Sequence, residues 1–460
     1  MIENNPTIEN PLGTKALMPL ILKYAVPSII SMLTMTLYNI VDQIFIGHVV
    51  GMLGNAASNV AFPSVTFTTG IAMLLGIGTA ANFSINQGAK RYDEAKTHVM
   101  TGMTSCIYGG IFIFIILFFF KTPILKLCGA TESVMPYAYA YFSITCFGLP
   151  FHVFTHATTN IIRADGSPRY AMLCTMSGVL LNTFLDWLFM YPIKWGIQGA
   201  AIATVIGQLF AFSLCLLYLP RFKAFKIHLR DFGKISKTHL IRNMKTGIPN
   251  FTNHMLMMCT NIVLNNVLVT YGEMSVYGSD IPLAVSGVAA KLNTIMVAFA
   301  VGTAQGCQPI WGYNLGAKKY DRVRGAYMRA FAIAFFIGVV FCFALHLFPR
   351  QMISIFGTGN EMYFEFAEKY LTVYMMLVFF QNIQPVTINY FSGIGASSQG
   401  FIVSLSRQGA FLIPLLVILP KYFGINGVLY ASPIADTMAF ILSVSMVIYN
   451  FRHLSKQKLC

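Results

Sequence analysis

Long apolar runs, many of about 20 residues and separated by short polar loops, are the feature that most constrains this chain. A backbone placed in hydrocarbon must satisfy its own N–H and C=O groups, so only helices or closed barrels can span a membrane. A barrel would show alternating segments of roughly ten residues, and none are present. Charged residues make up 10% of the 460 residues and hydrophobic ones 56%, against about a quarter charged in soluble domains. The expectation is an all-α membrane protein with twelve transmembrane helices. The spans are expected at 20–47, 55–83, 98–121, 133–158, 168–191, 196–219, 243–271, 281–311, 325–348, 366–392, 401–420 and 424–450.

The charges then orient the bundle. Of the 31 Lys and Arg residues, 24 fall on one side, Arg407 among them, six on the other, and Lys291 alone inside a span. The positive-inside rule makes the basic side cytoplasmic, with both termini there. The net charge of +15 is spread through these loops, so nucleic acid is not the expected partner; the lipid bilayer is. The start, "MIENNPTIENPLGTKALMPL", lacks the basic and small-residue features of a signal peptide, so the first helix is expected to be retained. The nine cysteines are scattered without a CxxC pair and read as small packing residues.

An internal repeat divides the chain. "QGAKRYDEA" at 87–95 returns as "LGAKKYDRV" at 315–323, and "WGIQGAAIA" at 195–203 as "FGINGVLYA" at 423–431. "PSIISMLTMTLYNIV" from Pro27 aligns with "PNFTNHMLMMCTNIV" from Pro249. Two six-helix, pseudo-symmetric lobes are therefore expected, 1–219 and 243–460, joined by a basic linker at 220–242. An even number of spans per half keeps both the same way up, and a cleft between two such lobes is a substrate route. The glycine of each "GAK" element is expected to stop its helix.

Embedded polar residues carry the functional signal. A carboxylate in a span costs about 2.5 kcal/mol or more, yet Asp42 lies within span 1 and Asp186 within span 5. The repeat partner of Asp42 is Leu264, so the acid belongs to the first half only. Tyr38 precedes Asp42 by four residues and Asn182 precedes Asp186 by four, which puts each pair on one helix face. Counting from the outer ends places both acids about 6–8 Å deep, and Thr204 descends from the same surface on span 6. These oxygens could hold a hard monovalent cation, or the two acids could share a proton. In the second half, Lys291 and Asp436 lie at matching depth and are expected to form an ion pair. His152 and His156 read as an interfacial polar face rather than a metal site, and no metal is expected. Arg163, Asp165 and the following "GSP" read as an ordinary turn. No GxxxxGK[ST] loop occurs, so ATP drive is not encoded.

"YNIVDQIFIG", "GAKRYDEA", "RADGSPRYAM" and "LNTFLDWLFMYPIKWGIQGAAIAT", with the twelve spans in two repeated halves, resemble the multidrug and toxic compound extrusion (MATE) transporters. The likeness covers nearly the whole chain and is to bacterial branches that include DinF-like and MepA-like exporters. It implies cation-coupled antiport by alternating access, with no cofactor beyond Na+ or H+ as coupling ion and no covalent chemistry. In DinF-like members an acid and a tyrosine of span 1, an asparagine and an acid of span 5 and a threonine of span 6 form the site. The matching positions are Tyr38, Asp42, Asn182, Asp186 and Thr204, and Pro27 matches the proline at which span 1 bends. Spans 7 and 10 lack the interior acid of other branches, since Glu365 and Glu368 lie at a span edge. The expected protein is an inner-membrane antiporter, acting as a monomer, that exports drugs or organic cations. A lipid-linked sugar flippase would favour a more cationic cavity than Lys291 alone supplies. A non-transporting receptor or anchor would have no need of the acid pair.

Overall fold

The computed structural model describes residues 10–355 and 359–459. It is all-helical. The crossing helices are α1 (Leu17–Val49), α2 (Met52–Gly88), α3 (Tyr92–Phe119), a broken α4 (Met135–Thr145, Cys146–Gly148 and Leu149–Ala164), α5 (Pro168–Met190) and α6 (Gly196–Tyr218). The second half holds α7 (Lys237–Glu273), α8 (Asp280–Gly316), α9 (Tyr320–Leu347), α10 (Glu361–Tyr374 and Val378–Gly393), α11 (Ser397–Phe423) and α12 (Ile425–Leu459). Ten of these are long and apolar enough to cross a membrane unaided, and α10 makes an eleventh if its two pieces, bent by 54°, count as one span. The twelfth, α4, is interrupted at Cys146–Gly148 and carries His152, His156, Asn160 and Arg163 on its second piece. Most helices overrun the expected spans by a few residues. The largest overrun is at the end of α12, which continues to Leu459, and α7 begins at Lys237 inside the expected linker.

The repeat is visible in the backbone. Lys90 and Lys318 are the residues after which α3 and α9 begin to form, and both adopt a left-handed backbone, with φ of 59° and 57°. Gly196 and Gly424 turn the chain into α6 and α12 with φ of 56° each. A short helix follows α3 (Lys121–Leu127) and another follows α9 (Pro349–Ser354).

The glycines of the "GAK" elements end their helices as expected, and they are also contact points. Gly88 and Gly316 are the last residues of α2 and α8. A Cβ on Gly88 would collide with the Tyr313 carbonyl, and one on Gly316 with that of Ile85. The two helices therefore meet backbone to backbone at the basic end of the bundle. Gly78 abuts the Asn243 carbonyl and Gly247 that of Leu74, joining α2 to α7. Gly302 and Gly306 meet Ile29 and Ala25, at 2.6 Å from a built Cβ to each Cα, joining α8 to α1. Toward the other end the halves part: Gly54 meets only Val50 and Ile46 of its own half, and Gly287 meets nothing within 4 Å. The two halves are thus closed at the basic end and diverge toward the opposite one.

The contact has a testable consequence. Gly247→Val would force side-chain carbons into the Leu74 backbone, which cannot yield by a rotamer change. Overpacking costs about 1–3 kcal/mol, which shifts a two-state balance by about 5- to 150-fold. The expected result is a basic end that opens, read as faster labelling of a cysteine introduced at Thr79 from that side.

Where α4 passes to α5, Asp165 is 4% exposed and does more than close a turn. It accepts hydrogen bonds from the Tyr218 hydroxyl at 2.7 Å, the Lys223 N–H at 2.8 Å and the Ala224 N–H at 3.0 Å. The start of the linker is anchored on it.

Candidate functional site

Helices α1, α5 and α6 pack against one another in the first half, and α4 packs against α6. The close fit of α5 to α6 depends on Gly178 and Gly207. A Cβ on either would come within 2.8 Å of the other's carbonyl oxygen, one turn below Asn182. This draws Asn182 and Asp186 toward Thr204.

Of the five residues singled out by sequence, Tyr38, Asp42, Asp186 and Thr204 lie near one another, and Asn182 stands one turn before Asp186 on α5. Asp42 and Asp186 stand beside each other, both buried, with exposures of 8% and 0%. The Tyr38 hydroxyl reaches the Thr204 side chain, and so does that of Tyr141. Thr204 itself donates to the Ala200 carbonyl at 3.0 Å, so its lone pairs face the phenols. Beyond these contacts Asp42 Oδ1, both Asp186 carboxylate oxygens and Asn182 Nδ2 are buried without a partner. Ionised carboxylates only accept hydrogen bonds. Two of them face to face therefore need a proton or a cation between them.

An apolar layer seals the pair. Ile46, Met190 and Ala200, all nearly inaccessible, form one cluster with Phe45, Val49 and Tyr141. Each of the three stands one turn from Asp42, Asp186 or Thr204, on the side away from the basic end. Water is kept off that face of the carboxylates. The helix α1 runs on to Val49, so Asp42 lies seven residues from its end, about 10 Å, rather than four. Pro27 is buried inside α1, which is continuous through it.

Tyr141 carries no charge and sits in an aromatic run, "YAYAYF", at 137–142, so nothing in the sequence marked it. It lies on the outer piece of α4, which packs against α6.

The second half corrects the expected ion pair. Asp436 does not pair with Lys291. Its carboxylate accepts from Arg407 Nε at 2.6 Å and from the Ser432 hydroxyl at 3.3 Å. Arg407, expected on the cytoplasmic side, lies inside α11 instead. The helix starts at Ser397, so Arg407 lies ten residues in, about 15 Å from its end. There the helix widens into a π-helical stretch, Ser406–Leu412, which turns the guanidinium toward α12. Lys291 is half-buried on α8 and makes no ion pair among the described residues. Arg407 is therefore a buried basic group inside the second half, and Asp436 neutralises it.

The two histidines of α4 are not interfacial either. Their rings lie 4.2 Å apart, and His152 Nε2 contacts the Thr69 hydroxyl of α2 at 3.0 Å. They face the seam between α4 and α2, deeper than the helix end.

Comparison with known proteins follows the same outline. A model of the MatE family matches residues 27–188 and 254–418. The multidrug export protein MepA of Staphylococcus aureus (strain MSSA476) is 25% identical over 433 residues, covering 93% of each chain. A multidrug resistance MATE family transporter solved in an outward-facing conformation superposes with a TM-score of 0.89 at 24% identity, over 96% of this chain and 99% of that one. A transporter of the MOP superfamily from Pyrococcus furiosus Vc1 superposes with a TM-score of 0.90 at 23% identity, over 97% and 98%.

Proposed function

Since the chain belongs to the MatE family of transporters, we propose that it is a cation-coupled antiporter that exports drugs or organic cations. The observation that carries this reading is the meeting of Asp42 with Asp186 beneath an apolar cap, with four of their and Asn182's polar atoms unpartnered. The multidrug export name of the MepA relatives supports the substrate class.

In this reading a Na+ or H+ occupies the space between the two carboxylates, with Asn182, Tyr38 and Thr204 completing the shell. Bound, it cancels their repulsion and lets α1 and α5 draw together. Released, it leaves two like charges in a dry pocket, a state that favours a different helix arrangement. An ion that binds one arrangement better than the other shifts the balance by that difference and no more. Substrate binding in the cleft biases the same balance the opposite way, which is the coupling. The halves at 1–219 and 243–460 act as lobes, with 220–242 as the linker and Pro27 as a hinge in α1. The basic end faces the cytoplasm of a bacterial cell, which makes this arrangement open to the outside, and the protein works as a monomer.

The test is counterflow in proteoliposomes. A labelled organic cation should leave the vesicles against its gradient only when an opposing Na+ or H+ gradient is imposed. Movement equal to protein-free vesicles under both gradients would overturn the reading.

A further inference from the structure

At the basic end, away from the acid pair, three potential metal ligands meet across the seam between the halves. Glu94 and His98 stand one turn apart on α3, and His239 lies in the first turn of α7. One ligand atom from each can be chosen so that all lie within 4.8 Å of one another. The imidazole rings of His98 and His239 meet edge-on with centroids 4.6 Å apart. His239 Nε2 is 2.9 Å from the Glu94 carboxylate.

The hydrogen bonds around the rings fix which nitrogens are available. Asn243 Nδ2 donates to the Thr79 hydroxyl at 3.0 Å and to the His98 carbonyl at 3.1 Å. Its Oδ1 therefore accepts, from Asn82 Nδ2 at 3.1 Å and from His98 Nδ1 at 2.7 Å. His98 must carry its proton on Nδ1. That leaves Nε2 with a free lone pair, and this atom is buried and unpartnered on a side chain that is 0% exposed. His239 Nδ1 is likewise held, 2.7 Å from the Ser236 hydroxyl. That hydroxyl can donate or accept, so the neutral ring can move its proton to Nδ1 and free Nε2 with no net proton change. Each histidine thus has its Nδ1 held by an outer partner and its Nε2 left for a ligand, the arrangement that metal-binding imidazoles use.

We propose that Glu94, His98 and His239 form a site for a divalent ion of the zinc class that clamps α3 to α7 at the basic end. Two imidazoles and one carboxylate suit Zn2+ or Co2+, with bonds of about 2.0–2.2 Å and a fourth position open to water. Glu94 is exposed, so the ion enters from solvent. The clamp joins α3 of the first half to the first turn of α7, the helix that runs into the second half, and its ligands come together only while the basic end is shut. By linkage the ion holds that end shut. This effect on transport rests on the alternating-access reading above; the binding itself does not.

The experiment uses tag-free protein in detergent. Zn2+ titrated by calorimetry should bind at one ion per chain, and Co2+ should give the visible d–d bands of a tetrahedral site. His239→Gln and Glu94→Gln should each weaken binding by about tenfold or more, whereas His453→Gln should not. His98→Gln should do the same but also disturbs the Asn243 network, so the two former variants carry the test, with metal-free melting as the check on folding. Binding by His239→Gln equal to the parent, or no Zn2+ binding by the parent, would overturn the site. In proteoliposomes, Zn2+ on the basic side should slow counterflow in the parent and not in His239→Gln. Binding without slowing would overturn the clamp while leaving the site.

Discussion

Asp42→Asn should give a folded, membrane-inserted protein whose gradient-driven export falls to the level of protein-free vesicles. The exchange keeps the shape of the side chain and removes one of two facing carboxylates. Nothing in the packing is lost, because Ile46, Met190 and Ala200 still close the outer side. The fold is expected to melt at the parent's temperature or above it, since a buried like-charge contact has been removed. What disappears is the group that gains and loses a cation, and with it the link between the ion and the substrate. Asp186→Asn should behave alike. Asp42→Glu should retain part of the transport, because the charge stays while its position shifts by one methylene. Export at the parent rate by Asp42→Asn, under the same Na+ or H+ gradient, would refute the coupling role. Loss of the protein from the membrane would instead mark Asp42 as a structural residue.

Arg407→Ala should be among the most destabilising single changes in the second half. Asp436 is 2% exposed and its Oδ1 lies 2.6 Å from the guanidinium. Removing one partner of such a pair leaves an uncompensated charge and costs about 3–5 kcal/mol. Replacing both partners, Arg407→Leu with Asp436→Leu, should recover much of that loss, because neither charge remains to be desolvated. Lys291→Ala should change the melting temperature little, since Lys291 has no ion-pair partner among the described residues. Thermal melting of the purified variants decides. A double variant no better than Arg407→Ala would show that the ion pair itself, rather than the relief of a stranded charge, holds α11 to α12.

The sequence determined what depends on one helix at a time. Apolar runs have to become helices in hydrocarbon, whatever lies beside them, so all twelve crossings were expected from the apolar runs alone. Asp42 and Asp186 were legible because a carboxylate in such a run is costly enough to need a reason. Their companions followed from helical spacing, since Tyr38 and Asn182 sit one turn away on the same faces. The tertiary structure decided what depends on how helices rotate and approach. Depth along the sequence matched Asp436 with Lys291, but depth says nothing of facing, and a helix that starts at Ser397 and widens at Ser406–Leu412 brought Arg407 there instead. Gly88 and Gly316 looked like helix stops, and only the neighbouring carbonyls of Tyr313 and Ile85 show that they are contact points. Tyr141 joins the acid pair because α4 packs against α6, and the Glu94, His98 and His239 cluster exists because α3 and α7 touch. A short-range signal survives in one chain segment, whereas a contact between two segments is set by packing that neither segment encodes alone.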